Sequence, residues 1–180
     1  MDFFEAVSRR YTHKVAFDPS RKVPDKDLRK IVEAGMIAPS AGNGQSAEFI
    51  IVNDEKIIEE LGKLSGSLPL STTPAAIAVM TRPRIKEVLD LGTECRIADL
   101  WVATENMLLA ATSLGYRCGL VDGPFQKPKI RTKAHALLGI PDDRLLYLLM
   151  PVGYEAEVDP RRDKKPFEQR ASWNHYAVER

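Results

Sequence analysis

The chain has 180 residues, of which 44% are hydrophobic and 28% are charged, and its formal net charge is +1. This length predicts one domain with a sizeable core, and the near-neutral charge gives no argument for a nucleic acid or an anionic membrane as a partner. The two cysteines do not make a disulfide framework, no uninterrupted apolar run reaches membrane-spanning length, and the N-terminus does not read as a secretion signal. We therefore expect a cytoplasmic protein that binds neither nucleic acid nor a membrane.

Hydrophobic periodicity divides the chain into helices and strands that alternate. In chain order the pattern predicts helix 2–9, helix 24–38, strand 49–52, helix 54–64, loop 65–74, strand 75–81, a weak helix 84–92, helix 94–114, strand 117–121, helix 128–138 and strand 145–152. The long loops and the extended C-terminal segment do not suggest simple βαβ repetition. We predict a single α+β domain of three layers that covers residues 1–180.

The predicted helix 94–114 is apolar on more than one face. Such a helix must be buried on several sides, so it is either the central core helix or it also meets a second subunit. Trp101, Met107 and Leu108 are the large residues on these faces. We expect them to supply more apolar surface than one subunit covers, which favours a dimer.

Two polar segments flank the predicted helix 24–38. Downstream, the loop of small residues at 38–45 carries Ser40, Asn43 and Gln45, whose hydroxyl and amide groups suit a flat polar ring. Upstream, Arg10, Thr12 and Lys14 alternate, so in an extended segment their side chains share one face. A solvated edge strand for 10–14 and a plain turn at Asn43-Gly44 are the alternatives to a binding role.

Two further segments complete the pattern. Val121-Asp122-Gly123 follows a predicted strand, and the cluster Arg161-Arg162-Asp163-Lys164-Lys165 is the only concentrated run of basic residues. A turn at a strand end and a solvated tail, respectively, are the simple alternatives.

These four segments, in this order, resemble the FMN-dependent nitroreductase family over nearly the whole chain. That family has an Arg-x-Ser-x-Arg/Lys start, an Ala-Pro-Ser-x-x-Asn-x-Gln-Pro-Trp loop, a long dimer helix that ends in a Leu-Gly turn, and a basic C-terminal clamp. The resemblance implies a three-layer α/β/α fold with a central mixed sheet flanked by helices. It also implies a homodimer in which the C-terminal segment of each subunit extends onto the other.

The resemblance implies bound FMN, NAD(P)H as electron donor and a small-molecule electron acceptor such as a nitroaromatic, a quinone or an activated alkene, in a ping-pong cycle. The family's cofactor-binding positions correspond to Arg9, Arg10, Tyr11, Thr12, Lys14, Pro39, Ser40, Asn43, Gln45, Val121, Asp122, Gly123, Arg162 and Lys164. In the family, the Lys14 position lies near N1 and O2 of the flavin, a backbone N–H of the 121–123 segment faces N5, and the clamp reaches the phosphate. Arg161 and Lys165 are neighbours that can replace Arg162 and Lys164 in that role.

The sequence departs from the family directly after Gln45, where Ser46-Ala47-Glu48 stands in place of the usual Pro-Trp. The alternatives are a relative that acts on reduced flavin or on a haloaromatic, an FMN protein without turnover, and an α+β binding domain without flavin. No catalytic side chain and no metal site are predicted.

The remaining polar candidates have simpler interpretations. We expect His13, His135 and His175 at the surface, and Cys95 and Cys118 as small buried hydrophobic residues.

Overall fold

The computed structural model describes residues 1–82 and 94–177 of the chain. The helices are α1 (Phe3–Arg9), α2 (Asp25–Met36), α3 (Glu55–Ser65), α4 (Leu68–Thr72), α5 (Glu94–Ser113) and α6 (Pro128–Leu138). The strands are β1 (Ala47–Val52), β2 (Ala75–Thr81), β3 (Arg117–Cys118) and β4 (Leu145–Gly153). Short 3-10 turns occur at Ala41–Asn43, Gly123–Gln126 and Phe167–Gln169.

The four strands form one sheet in the order β1-β2-β4-β3, and neighbouring strands are antiparallel. Thr12 adds a parallel bridge to Cys118 at the β3 edge. All seven residues of β2 are buried, because this strand has neighbours on both edges and helices on both faces. The predicted α+β fold is therefore confirmed.

Alternate residues of the central strands feed two separate apolar cores. On one face of the sheet, Ile77 and Val79 of β2 pack in a cluster with residues of α2 and α5. On the other face, Ala78 and Met80 of the same strand pack in a cluster with residues of α3, α4 and α6. Helices therefore cover both faces of the sheet, which gives the three predicted layers.

The element predictions are confirmed for helices α1, α2, α3, α5 and α6 and for strands β1, β2 and β4. The predicted loop 65–74 is wrong, because it contains α4. Ser67 begins that helix by accepting a hydrogen bond from the Leu70 N–H, and the buried Leu70 fixes it against the sheet. A five-residue helix is too short to show periodicity. The predicted strand 117–121 is shorter than expected, and the weak helix 84–92 lies outside the described residues.

The apolar faces of α5 are largely covered within one chain. Met107 and Leu108 are fully buried, and Trp101 packs edge-to-face against Tyr147 with 5.9 Å between ring centroids. The expectation that these residues need a second subunit to cover them is therefore wrong for Met107 and Leu108, whereas Trp101 is only partly buried. The sheet and α2 already cover this helix.

Two of the three histidines are buried, contrary to the expectation of surface positions. His13 packs 4.6 Å from the Phe17 ring, and its Nε2 lies 3.1 Å from the Ala16 carbonyl oxygen. His135 lies below β4, and burial together with the nearby Arg131 guanidinium lowers its pKa. His175 is exposed as expected.

Cys118 is buried as expected, and burial raises the pKa of its thiol to about 12. Cys95 is partly exposed, contrary to the expectation, and neither cysteine is in a disulfide. In residues 1–82 and 94–177 no group of His, Cys, Asp or Glu residues has a metal-binding arrangement, and no helix there has the length and apolar character needed to cross a bilayer.

Glu48 clamps three neighbouring strands at one end of the sheet. It lies in β1, and its carboxylate accepts hydrogen bonds from Arg82 Nε at 2.6 Å and Arg144 Nε at 2.7 Å. Arg82 directly follows β2, and Arg144 directly precedes β4. Burial would raise the pKa of Glu48, but the two guanidinium groups outweigh it and hold the pKa below its ordinary value.

We predict that Glu48→Gln lowers the free energy of unfolding at neutral pH. A carboxyl group with a depressed folded-state pKa stabilises the fold above its unfolded-state pKa of 4.5, and this contribution is lost as the pH falls through the lower folded-state value. Urea unfolding from pH 7 downward should show that the free energies of unfolding of the wild-type and Glu48→Gln proteins converge below the folded-state pKa. A difference that stays constant over this range would contradict the assignment.

Gly62 lets α3 and α4 approach each other closely. A Cβ built on Gly62 would lie 2.8 Å from the Cα of Ser71, which is backbone and has little freedom to move. We predict that Gly62→Ala destabilises the protein by about 1–3 kcal/mol, although alanine is the better helix former by about 1 kcal/mol.

The matched control for this substitution is Gly123→Ala, because nothing lies within 4 Å of a Cβ built at Gly123. Denaturant unfolding compares the two variants. A stabilised Gly62→Ala protein would show that the two helices are not in close contact.

Candidate functional site

The segment after α1 is held against the β3 edge of the sheet. Helix α1 ends at Arg9, and the next residue, Arg10, caps it with an extended backbone conformation. The His13 N–H then donates to the Cys118 carbonyl at 2.8 Å, next to the Thr12–Cys118 bridge. This pairing places residues 10–14 in an extended run along the sheet, as the sequence predicts.

The C-terminal strap, which we define as residues 159–164, lies against this segment. The Lys14 N–H donates to Asp159 Oδ2 at 2.6 Å. Between the two segments is a cleft with a volume of about 700 Å³. The cleft is lined by Ser8, Arg10, Tyr11, Thr12, Lys14, Leu120 and strap residues Asp159, Pro160, Arg161, Arg162, Asp163 and Lys164. This volume is in the range of cofactor-binding clefts.

Cations outnumber carboxylates in the lining of this cleft, and several of them lack partners among residues 1–82 and 94–177. Among the described residues, the side chains of Lys14, Arg162 and Lys164 make no hydrogen bond or ion pair. Arg10 Nε lies 3.0 Å from Glu105 Oε1, but its buried N–H is not aligned with that oxygen and forms no hydrogen bond. A buried donor without an acceptor is costly, and three unpaired cations beside it make a site suited to an anion.

Tyr11 has a structural partner below the cleft. Its hydroxyl donates to Glu155 Oε2 at 2.9 Å, and Arg117 Nε lies 3.1 Å from both oxygens. Burial and the Glu155 contact raise the pKa of Tyr11, whereas the hydrogen bonds from Arg117 and Tyr11 outweigh burial and lower the pKa of Glu155. The ring of Tyr11 lines the cleft while its hydroxyl is used within the fold.

A second, smaller cleft of about 250 Å³ lies beside the loop that follows α2. Pro39, Ser40 and Gln45 line it. The loop is tightly folded, because Ser40 Oγ accepts the Gln45 N–H at 2.9 Å, and Asn43 and Gln45 both have left-handed backbone conformations. Asn43 takes the left-handed turn conformation and does not line this cleft, and its binding role stays a prediction.

Asp99 of α5 fixes this loop from below. Its carboxylate accepts the Ala41 N–H at 2.9 Å and the Ser46 hydroxyl at 2.8 Å, and the residue is almost fully buried. Ser46 stands where the family has Pro-Trp, so this departure has a specific partner in α5. The sequence signal was an acidic residue inside a largely apolar helix, but its spatial neighbour was not predictable.

The remaining predicted site residues are not brought into either cleft. Arg9 is exposed and pairs with Glu5 on α1 at 2.8 Å. The Val121 N–H donates to the Leu149 carbonyl, and Asp122 precedes the turn that begins at Gly123. Their neighbour Leu120 does line the larger cleft. The structure thus groups Arg10, Tyr11, Thr12, Lys14, Arg162 and Lys164 in one cleft and Pro39, Ser40 and Gln45 in the other.

Comparison with known proteins identifies the family. The model of the nitroreductase family matches residues 7–90. A protein of Archaeoglobus fulgidus, described as a candidate NADH dehydrogenase/NAD(P)H nitroreductase, is 30% identical over 165 residues, which are 91% of this chain and 89% of that protein. A similarly described protein of Methanothermobacter thermautotrophicus is 29% identical and covers 91% of this chain and 82% of its own length. The chain belongs to the nitroreductase family of oxidoreductases.

Solved structures show the same fold. A Parabacteroides distasonis protein, also described as a candidate NADH dehydrogenase/NAD(P)H nitroreductase, superposes with a TM-score of 0.80 at 25% identity, over 97% of this chain and 98% of that one. NfrA1 of B. megaterium superposes with a TM-score of 0.83 over 97% of this chain and 74% of its own, at 18% identity. The predicted resemblance to the nitroreductases is confirmed.

Proposed function

We propose that this protein is an FMN-dependent oxidoreductase that takes electrons from NAD(P)H and passes them to a nitroaromatic, a quinone or a related small acceptor. The observation that carries this proposal is the larger cleft. Among the described residues, Lys14, Arg162 and Lys164 there make no hydrogen bond or ion pair, and the buried Nε of Arg10, which is ion-paired with Glu105, makes no hydrogen bond. Membership of the nitroreductase family and the NAD(P)H-linked descriptions of its relatives support the same function.

The donors in the larger cleft fit the phosphate of FMN. Arg10 offers a planar guanidinium that can hold two oxygens, and Thr12 offers a hydroxyl on the same extended segment. Arg162 and Lys164 approach from the strap on the opposite side. We assign these four residues to the phosphate, and we assign Lys14 to the pyrimidine edge of the flavin, where a cation stabilises negative charge.

The rest of the flavin needs hydrogen bonds and space rather than further charge. Ser40 and Gln45 offer hydroxyl and amide groups beside Pro39 in the second cleft. When bound, FMN supplies the hydride chemistry that no side chain provides. The protein positions the cofactor and the two substrates, which bind in turn at the same surface in a ping-pong cycle. Because the Val121 N–H donates to the Leu149 carbonyl, the backbone N–H that tunes the flavin would have to be that of Asp122 or Gly123, and no side-chain acid or base is required.

We further propose that the active form is a homodimer. The two clefts share no lining residue. In a dimer, the loop 38–45 of one subunit can lie next to the strap of the other subunit, which would join the two clefts. Large apolar side chains are exposed next to both parts. Ile37, directly before the loop, is 82% exposed, and Trp173, downstream of the strap, is 81% exposed. A second copy that covers these residues explains their exposure.

Steady-state kinetics separate this function from its alternatives. We expect a yellow protein that oxidises NADH or NADPH with a nitroaromatic or quinone acceptor and gives parallel double-reciprocal lines. A yellow protein without turnover would indicate a non-catalytic FMN carrier. Turnover limited to flavins or haloaromatics would indicate a relative that acts on those substrates. A colourless protein that takes up no FMN would overturn the proposal.

For the phosphate assignment, we predict that Arg10→Ala weakens FMN binding by about tenfold or more, because a hydrogen bond to a charged group contributes about 1.5–3 kcal/mol. Fluorescence titration of the apoprotein with FMN measures the change. Arg9→Ala is the matched control. It removes the same charge from the neighbouring residue, which is exposed and lies outside the cleft. An Arg10→Ala/Lys164→Ala protein that retains full FMN affinity would refute the site.

For the dimer, we predict that the purified protein sediments as a dimer at micromolar concentration and that Ile37→Glu shifts it toward monomer. Burying a new carboxylate in an apolar contact is unfavourable. Lys56→Glu is the control, because it places a carboxylate at an exposed position of α3 that lines neither cleft. A folded, FMN-loaded wild-type monomer would contradict the proposal.

A further inference from the structure

The strap is tied to α1 by one residue, Arg161. Its Nη1 donates to the Ser8 carbonyl at 3.0 Å, and its Nη2 donates to the Arg9 carbonyl at 2.7 Å. These carbonyls belong to the last turn of α1, whose C-terminal carbonyls have no partner inside the helix. A guanidinium at this negative end of the helix is also electrostatically favourable.

The same guanidinium stacks on the cleft wall. The Arg161 Cζ lies 5.1 Å from the centroid of the Tyr11 ring, within the range of a cation–π contact. Tyr11 cannot easily move away, because its hydroxyl is held by Glu155 and Arg117. Arg161 therefore contacts a fixed ring and two fixed carbonyls.

These contacts use two of the five N–H donors of the Arg161 guanidinium. Both of its forked ends donate to backbone carbonyls, whereas its neighbours Arg162 and Lys164 make no hydrogen bond or ion pair within the described part of the chain. Asp159 makes the second tie, since it accepts the Lys14 N–H. Of the five charged residues of the strap, Asp159 and Arg161 hold it in place, whereas Arg162, Asp163 and Lys164 make no hydrogen bond or ion pair with the described residues.

We propose that Arg161 is a positioning residue. By capping α1 and stacking on Tyr11, it holds Arg162 and Lys164 over the cleft. Arg161 does not bind the phosphate itself. This inference rests on the proposed FMN site and identifies which basic residue of the cluster 161–165 is structural. Arg161 acts on the phosphate through its two neighbours. Its loss should therefore matter for a ligand that carries a phosphate and should not matter for one that lacks it.

The test compares FMN with riboflavin, which has the same ring system and no phosphate. We expect Arg161→Ala to weaken FMN binding by about tenfold, as expected when charge-assisted contacts are lost, and to leave riboflavin binding unchanged. Lys165→Ala, which removes the same charge from a residue that does not line the cleft, should leave both affinities unchanged. Equal losses for FMN and riboflavin would indicate a general structural defect and overturn the proposal, as would an unchanged FMN affinity.

A double-mutant cycle separates positioning from direct contact. In an Arg162→Ala/Lys164→Ala background, adding Arg161→Ala should cause no further loss of FMN affinity, because the cations that it positions are already absent. An additional loss of about the same factor would mean that Arg161 binds the phosphate directly, and the proposal would be wrong.

Arg161→Lys gives a second, milder variant. It keeps the charge but has no planar fork to hold two carbonyls, so it should lose FMN affinity in the same direction as Arg161→Ala. Full affinity in Arg161→Lys would show that charge alone is sufficient and would contradict positioning. If the wild-type apoprotein binds neither FMN nor riboflavin, the proposed function itself fails, and this outcome is distinct from all of those above.

Discussion

The pairing of β2 with β4 is the constraint on which the rest of the structure depends. Both strands lie in the interior of the sheet, and alternate residues of β2 face the α2/α5 core and the α3/α4/α6 core. Because both faces are covered, polar groups are confined to the edges and ends of the sheet. Glu48 with its two arginines lies at one end of the strands, and the larger cleft lies beside the β3 edge.

The candidate site uses the outer edge of this sheet rather than its faces. The segment 10–14 adds to the edge through the Thr12–Cys118 bridge, and the strap adds to that segment through Asp159 and Arg161. Each step depends on the one before it, since the strap has no helix or strand of its own. A cleft between two backbone-anchored segments can accumulate unpaired cations, because neither segment belongs to the apolar cores.

Much of the fold follows from the sequence for identifiable reasons. Helix α2 carries one buried stripe of residues such as Leu28 and Ile31, and β2 is a continuous apolar run, so periodicity is sufficient for both. Helix α4 was missed because it is one turn that depends on the Ser67 cap and on close packing against Gly62. Burial of His13 was also missed, because it depends on Phe17 and on the sheet edge rather than on a local pattern.

The candidate site was likewise predictable from the sequence only in part. The alternation of Arg10, Thr12 and Lys14 and the basic cluster near the C-terminus were visible in the sequence, and the structure brings them together across about 150 residues of chain. The partners that hold them there, Glu155 and Arg117, were not predictable, because only the fold places them beside Tyr11. Likewise, Asp99 meets Ser46 only through the packing of α5 beneath the loop.

A crystal structure of the protein with FMN tests the central claim most directly. The account predicts the phosphate in the cleft between residues 10–14 and the strap, within hydrogen-bond distance of Arg10 and of Arg162 or Lys164, with Arg161 still bound to the Ser8 and Arg9 carbonyls. A phosphate bound elsewhere, with this cleft filled by water, would contradict it.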